Sequence, residues 1–118
     1  MYHYKAVLVR VIDGDTIDVD IDLGFDVWLK KQRIRLAGID APESRTRNKF
    51  EKALGLAAKA RLTELCSEEM QLESLGTGKY GRILGIPKTS DGTSMCQILI
   101  DEGHAVEYSG GKKTKVWA

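Results

Sequence analysis

The strictest constraint on the fold is an alternation of polar and apolar side chains along residues 16–23. Isoleucine, valine and leucine occupy the odd positions, whereas threonine and aspartate occupy the even ones. A period of two with one apolar side is typical of a β-strand that buries one face. The turn signal Asp13-Gly14 precedes this segment, and Gly24 follows it. The pattern therefore predicts a half-buried strand that is entered through a tight turn.

Five segments of the chain are predicted strands and two are predicted helices. The strands cover residues 4–11, 16–23, 32–37, 70–75 and 82–87, the helices cover 48–66 and 94–102, and residues 24–31 form a connection. The first helix is amphipathic, and either Ser44 or Thr46 can cap it. Because strands and helices do not alternate in βαβ order, we expect a mainly β chain with α-helices: a small five-stranded barrel capped by two helices.

Length and composition are those of one globular domain. The chain has 118 residues, of which 42% are hydrophobic and 30% are charged. No apolar run approaches a membrane span, and residues 6–9 are too short for a signal-peptide core. We therefore expect a cytoplasmic protein, or a secreted one if a signal was removed. Cys66 and Cys96 lack metal-ligand spacing, and we expect buried free thiols rather than a disulfide.

Charge is unevenly distributed, although the net charge is only +1. Six aspartates fall within residues 13–26, where no lysine or arginine occurs, and basic residues cluster at 30–35 and 45–49. An acidic patch beside basic ones suits a metal ion together with a polyanion. Ordinary solvated charge explains the same pattern, so charge alone does not decide between these interpretations.

Asp15 and Asp40 are the first candidates for a chemical role. Asp15 stands in the predicted turn and Asp40 just past the third predicted strand, so neighbouring strands would bring both carboxylates to one rim of the sheet. With the Ala41 carbonyl, which Pro42 holds extended, these oxygens would make an open Ca²⁺ site. Plain turn chemistry is the alternative explanation for both aspartates.

Glu43 and two arginines complete the candidate site. Glu43 follows Pro42 and is either a general base or a first-turn helix residue that favours the helix dipole. Arg35 and Arg82 carry planar forks of donors that match phosphate oxygens, or else they only keep strand edges soluble. Tyr80 would stack on a base or pack on the barrel rim.

Three separate motifs resemble those of the staphylococcal nuclease family. They are Val11–Thr16 (VIDGDT), Arg35–Glu43 (RLAGIDAPE) and Lys79–Arg82 (KYGR), in register over roughly residues 6–108. The resemblance implies an OB-type five-stranded barrel, with residues 1–108 as the nuclease domain and 109–118 as a Gly/Lys-rich tail. It also implies a Ca²⁺-dependent nuclease that cleaves DNA, with RNA as a further substrate, by water attack and leaves 3′-phosphate ends.

The same resemblance implies a role for each motif residue. The Ca²⁺ ligands would be Asp15, Asp40 and the Ala41 carbonyl, with Asp13 as a further acid near the metal. The groups acting on the attacking water and the phosphate would be Glu43, as the base, Arg35 and Arg82. The groups contacting substrate would be Lys79, Tyr80 and Tyr108.

The chain departs from the family pattern at its C-terminal end, where a Gly- and Lys-rich tail stands in place of a third helix. We expect a homodimer or a larger partner to cover the face that this helix would occupy. The alternative function is a catalytically inactive nucleic-acid-binding module on the same fold. Retention of the motif acids and arginines favours the nuclease over this module.

Overall fold

A closed five-stranded barrel forms the body of the molecule. The computed structural model describes residues 2–66, 69–77 and 83–108. The barrel strands are β1 (Tyr2–Asp13), β2 (Thr16–Asp22), β3 (Trp28–Leu36), β5 (Met70–Thr77) and β6 (Ile83–Lys88). The remaining elements are β4 (Ile39–Asp40), β7 (Val106–Glu107), α1 (Lys49–Leu65) and α2 (Met95–Asp101). The order around the barrel is β1-β2-β3-β6-β5; the β3–β6 pair is parallel, and the pairs β1–β2, β1–β5, β2–β3 and β5–β6 are antiparallel. The predicted mainly β barrel with two capping helices is thereby confirmed within the described ranges.

The apolar side of the alternating segment forms part of the barrel core. Ile17 and Val19 of β2 are 0% exposed, and Ile34 of β3 is equally buried. Each such side chain contributes roughly 1.5–3 kcal/mol to folding when it leaves water. The polar side of the segment is more buried than the pattern suggests. Asp18, which lies on that side, is only 8% exposed. Leu23, at the end of the segment, is 37% exposed and lies outside the core.

The third barrel strand begins earlier than the sequence predicts, so part of the predicted connection at 24–31 is wrong. The chain turns through Gly24, Phe25 and Asp26, which all have positive φ, and β3 starts at Trp28. Lys31 also has a positive φ, and the β2–β3 register shifts beside it. This irregularity breaks the period of two, which is why the sequence pattern did not extend the strand backwards.

Helix α1 has the predicted extent but a different cap. Asn48 is the N-cap residue, and its side chain accepts hydrogen bonds from the backbone N–H groups of Phe50 and Glu51. The predicted caps Ser44 and Thr46 are therefore wrong. Asn and Ser are similarly good N-caps, so sequence alone did not separate the candidates.

The buried face of α1 is also narrower than its apolar pattern. Gly55, Ala58 and Leu62 are the buried residues of the helix. Phe50 and Leu54, which belong to the predicted apolar stripe, are 74% and 45% exposed. Leu62 packs in the core, whereas the small residues Gly55 and Ala58 let the helix approach the Glu43 loop and the Gly14 turn closely.

A two-stranded sheet outside the barrel joins β4 to β7. Asp40 pairs with Val106, and the Tyr108 N–H donates to the Gly38 carbonyl at 2.8 Å. This pairing links segments far apart in the sequence, and no local pattern predicts it. Neither helix in the described part of the chain is long and apolar enough to cross a membrane.

The two cysteines are buried free thiols, as predicted. Cys96 lies in α2, whereas Cys66 is the C-cap residue of α1 rather than a residue of the helix itself. The Cys66 Sγ lies 3.7 Å from the Met95 Sδ, so both helices meet near this thiol.

Candidate active site

A cleft of about 230 Å³ opens between the β1–β2 turn and the loop that precedes α1. Its walls bring together six residues that the sequence predicts for the site: Asp13, Asp15, Arg35, Ala41, Glu43 and Tyr108. Glu43 is exposed, whereas Asp15 is only 8% exposed. Three of the predicted acids, Asp13, Asp15 and Glu43, therefore face a common space on one side of the molecule.

Asp15 holds the turn against the loop through its carboxylate. Its Oδ2 accepts the Ala41 N–H at 3.0 Å and lies 3.6 Å from Arg35 Nη2. Its Oδ1 accepts the Thr16 hydroxyl at 3.1 Å. Because each carboxylate oxygen offers two lone pairs, Asp15 keeps acceptor capacity for a further partner.

The guanidinium of Arg35 is fixed by backbone carbonyls. Nη1 donates to the Leu36 carbonyl at 2.8 Å, and Nη2 donates to the Ile39 carbonyl at the same distance. Nη1 also lies 3.4 Å from the Asp15 carbonyl, and the side chain is 14% exposed. These three contacts hold the guanidinium in place and leave part of its five N–H groups available to a ligand.

Two carboxylates secure the loop that carries Glu43. Asp13 Oδ1 accepts the Ser44 N–H at 3.2 Å and also accepts the Ser44 hydroxyl. Glu51 Oε2, from the first turn of α1, accepts the Glu43 N–H at 3.1 Å. The side chain of Asp13 thus acts on the loop as well as lining the cleft.

The helix α1 packs closely against the turn that carries the first acids. A Cβ atom at Gly14 would lie 2.7 Å from the Ala58 Cβ and 3.1 Å from the Ala41 Cβ. Gly14 does not have a positive φ, so the turn conformation itself does not require glycine. The residue is glycine because the turn, the loop and the helix leave too little space for a side chain.

Asp40 lies next to the cleft rather than in its wall. It is 3% exposed, and its backbone pairs with Val106 of β7. Among the described residues, no group of three or more His, Cys, Asp or Glu side chains is arranged to hold a metal ion. The predicted ligand set contains only two carboxylates, Asp15 and Asp40, with the Ala41 carbonyl. Oxygen donors of these types are the ones that Ca²⁺ prefers, so the residues fit that ion chemically.

Three predicted site residues, Lys79, Tyr80 and Arg82, lie outside the described residues. One cleft residue, Thr16, was missed by the sequence reasoning. Thr16 is the first residue of β2, lies on the polar side of the alternation and directly follows Asp15. Its place beside a predicted site residue could have identified it from the sequence.

Comparison with known proteins places these features in a family. The family model described as staphylococcal nuclease homologue matches residues 33–116. Micrococcal nuclease of Shigella flexneri is 35% identical across 89% of this chain and 59% of its own length. An uncharacterized endonuclease of Escherichia coli is 35% identical across 86% of this chain and 59% of its own length. Protein ParB of Escherichia coli is 38% identical across 69% of this chain and 40% of its own length. The chain thus spans between 40% and 59% of the length of these relatives.

With its three motifs, its barrel and the match to the family model, the chain belongs to the staphylococcal nuclease homologue family.

Proposed function

We propose that this chain is a nuclease that hydrolyses phosphodiester bonds of DNA, with RNA as a further substrate, and leaves 3′-phosphate ends. The observation that carries the proposal is that Asp15, Arg35 and Glu43 line one cleft. Family membership supports it, as do the names of two relatives, a micrococcal nuclease and an endonuclease.

Glu43 is the proposed general base. Its carboxylate is exposed at the cleft, where it can accept a proton from a water molecule that attacks the phosphorus. The bonds from Ser44 to Asp13 and from the Glu43 N–H to Glu51 hold its backbone in place. A positioned base of this kind contributes about 10²–10⁴ in rate.

Arg35 and Arg82 are the proposed phosphate-binding groups. Negative charge increases on the phosphate oxygens as the attacking oxygen adds to phosphorus, and guanidinium donors stabilise that charge. The bonds from Arg35 to the Leu36 and Ile39 carbonyls fix its plane before substrate arrives. A donor that is fixed in advance needs no reorganisation during the reaction.

A Ca²⁺ ion would be held by the carboxylates of Asp15 and Asp40 and the carbonyl of Ala41. When bound, the cation would neutralise charge on the phosphate and favour deprotonation of water. The bond from the Ala41 N–H to Asp15 Oδ2 joins the two loops that would supply these groups.

A cleavage assay tests the proposal. The purified chain is incubated with single-stranded DNA, duplex DNA and RNA, in Ca²⁺ and in excess chelator. We expect cleavage in Ca²⁺, loss of cleavage in chelator, and products whose mass shows 3′-phosphate and 5′-hydroxyl ends. Binding without cleavage in every sample would contradict the proposal and favour the inactive nucleic-acid-binding module.

A further inference from the structure

Four exposed basic side chains directly after the cleft have no carboxylate partner within the described residues. This basic segment consists of Arg45, Arg47, Lys49 and Lys52. Most other described basic side chains do form ion pairs with carboxylates: Lys5, Arg10, Lys30, Arg33, Arg35, Arg61 and Lys88. Because the chain carries a net charge of only +1, this local excess is not a property of the whole surface.

The basic segment is joined to the wall of the cleft. It begins two residues after Glu43, and the intervening Ser44 is bonded to Asp13. The acid within the segment, Glu51, accepts the Glu43 N–H instead of pairing with the neighbouring cations. The segment therefore presents unneutralised positive charge that starts at the edge of the cleft.

Building on the proposed nuclease function, we propose that the basic segment is a second phosphate-binding surface that holds the nucleic-acid strand beyond the bond being cut. Four cationic side chains along one short segment can meet several successive phosphates of a strand. Such a surface favours long polynucleotides over dinucleotides.

A strand of nucleic acid suits this surface because its charges form a continuous line that can run from the cleft along the segment. Arginine and lysine side chains that bind phosphates release counterions, so their contribution weakens as salt increases. The backbone N–H groups of Phe50 and Glu51 are already bonded to Asn48, so the side chains rather than the helix terminus carry this proposal.

The test compares two variants of equal charge. In the first, Arg45→Gln, Arg47→Gln, Lys49→Gln and Lys52→Gln neutralise the basic segment. In the matched control, four lysines elsewhere become Gln: Lys5, Lys30, Lys31 and Lys59. Binding of single-stranded DNA of about 20 nucleotides is measured between roughly 50 and 200 mM salt. We expect the slope of log K against log salt to become shallower by about 2–3 in the first variant and by less than about 1 in the control.

Cleavage of two substrates provides the second readout. For the long oligonucleotide, kcat/KM should fall at least about tenfold in the basic-segment variant, while a dinucleotide is cut within about twofold of wild type. Equal slopes in the two variants would overturn the inference, as would loss of dinucleotide cleavage in the first variant. If no protein cuts DNA but the slopes differ as expected, the binding surface stands and the nuclease proposal fails.

A smaller variant guards against misfolding. Arg45→Gln with Arg47→Gln changes only residues outside the helix, and the slope should become shallower by about half as much. Phosphatidylcholine–phosphatidylserine vesicles serve as a different polyanion. If the basic-segment variant loses vesicle binding but keeps oligonucleotide binding, the segment is a membrane surface and the inference is overturned.

Discussion

Gly55 of α1 lies directly against the backbone of Glu43. A Cβ atom at position 55 would come within 2.3 Å of the Glu43 carbonyl oxygen and 2.7 Å of the Ser44 nitrogen. Glycine inside a helix normally costs about 0.5–1 kcal/mol relative to alanine, so close approach explains its presence here. The docking of α1 therefore sets the position of the loop that carries the proposed base.

The substitution Gly55→Ala should destabilise the protein despite the better helix propensity of alanine. The added methyl group meets backbone atoms that cannot move without shifting the loop, and overpacking of this kind costs about 1–3 kcal/mol. We expect a lower free energy of unfolding in urea and a lower kcat for DNA cleavage. Leu56→Ala, at an exposed position of the same helix, is the control and should leave kcat unchanged. A more stable Gly55→Ala protein with unchanged cleavage would contradict this account.

Two substitutions at Asp13 separate a positioning role from a charge effect. Asp13→Asn keeps a carbonyl oxygen that can accept the Ser44 N–H and hydroxyl, whereas Asp13→Ala removes the acceptor. We expect Asp13→Ala to lower kcat and to reduce the free energy of unfolding by about 1–3 kcal/mol. Asp13→Asn should retain most of the wild-type kcat and most of the wild-type free energy of unfolding. Equal loss of cleavage in the two variants would show instead that the negative charge is what matters, as expected for an acid near the metal.

The stability of the barrel should depend on pH through Asp18. Hydrogen bonds from Arg33, with further bonding and charge from Arg10, hold the pKa of Asp18 below its ordinary value of 3.8. The folded state therefore favours the ionised carboxylate, and its contribution is fully present above pH 3.8 and is lost as pH falls through the folded pKa.

The variant Asp18→Asn measures this contribution. At neutral pH it should lower the free energy of unfolding by about 1–2 kcal/mol, and the difference from wild type should shrink below about pH 4. Asp26→Asn, in the exposed turn, is the control and should change stability by less than about 0.5 kcal/mol. A difference between Asp18→Asn and wild type that does not vary with pH would exclude this interpretation.

The two thiols should be unreactive in the native protein. Burial raises the pKa of Cys66 to about 12 and that of Cys96 to about 11, so little thiolate forms at neutral pH. A coloured disulfide reagent should label neither thiol rapidly before unfolding and both after unfolding in guanidinium. Rapid labelling of the native protein would contradict the burial of these side chains.

The sequence predicts which side of a barrel strand is buried, because the alternation of polar and apolar residues is a local pattern. Ile17 and Val19 lie on the predicted apolar side of residues 16–23, and both are 0% exposed. The early start of β3 was not predictable in this way, because the positive φ of Lys31 interrupts the period. The pairing of Asp40 with Val106 depends on how the chain returns to the barrel, which no local pattern contains.

In the candidate site, too, some features follow from the local sequence and others depend on tertiary packing. Asp15, Arg35 and Glu43 are recognisable from their motifs, and the structure places all three around one cleft. The contact between Glu51 and the Glu43 N–H was not predicted, since it exists only once α1 has docked. Motifs thus identify the candidate site residues, whereas tertiary packing decides how those residues are held.

The most direct test of the central claim compares Glu43→Gln with the wild-type chain on single-stranded DNA in Ca²⁺. Binding and cleavage are measured on the same oligonucleotide, and Asp26→Asn controls for the loss of one negative charge. We predict that wild type and Asp26→Asn cleave at similar rates, whereas Glu43→Gln binds DNA but cleaves about 10²–10⁴ times more slowly. Cleavage by Glu43→Gln at the wild-type rate would contradict the account.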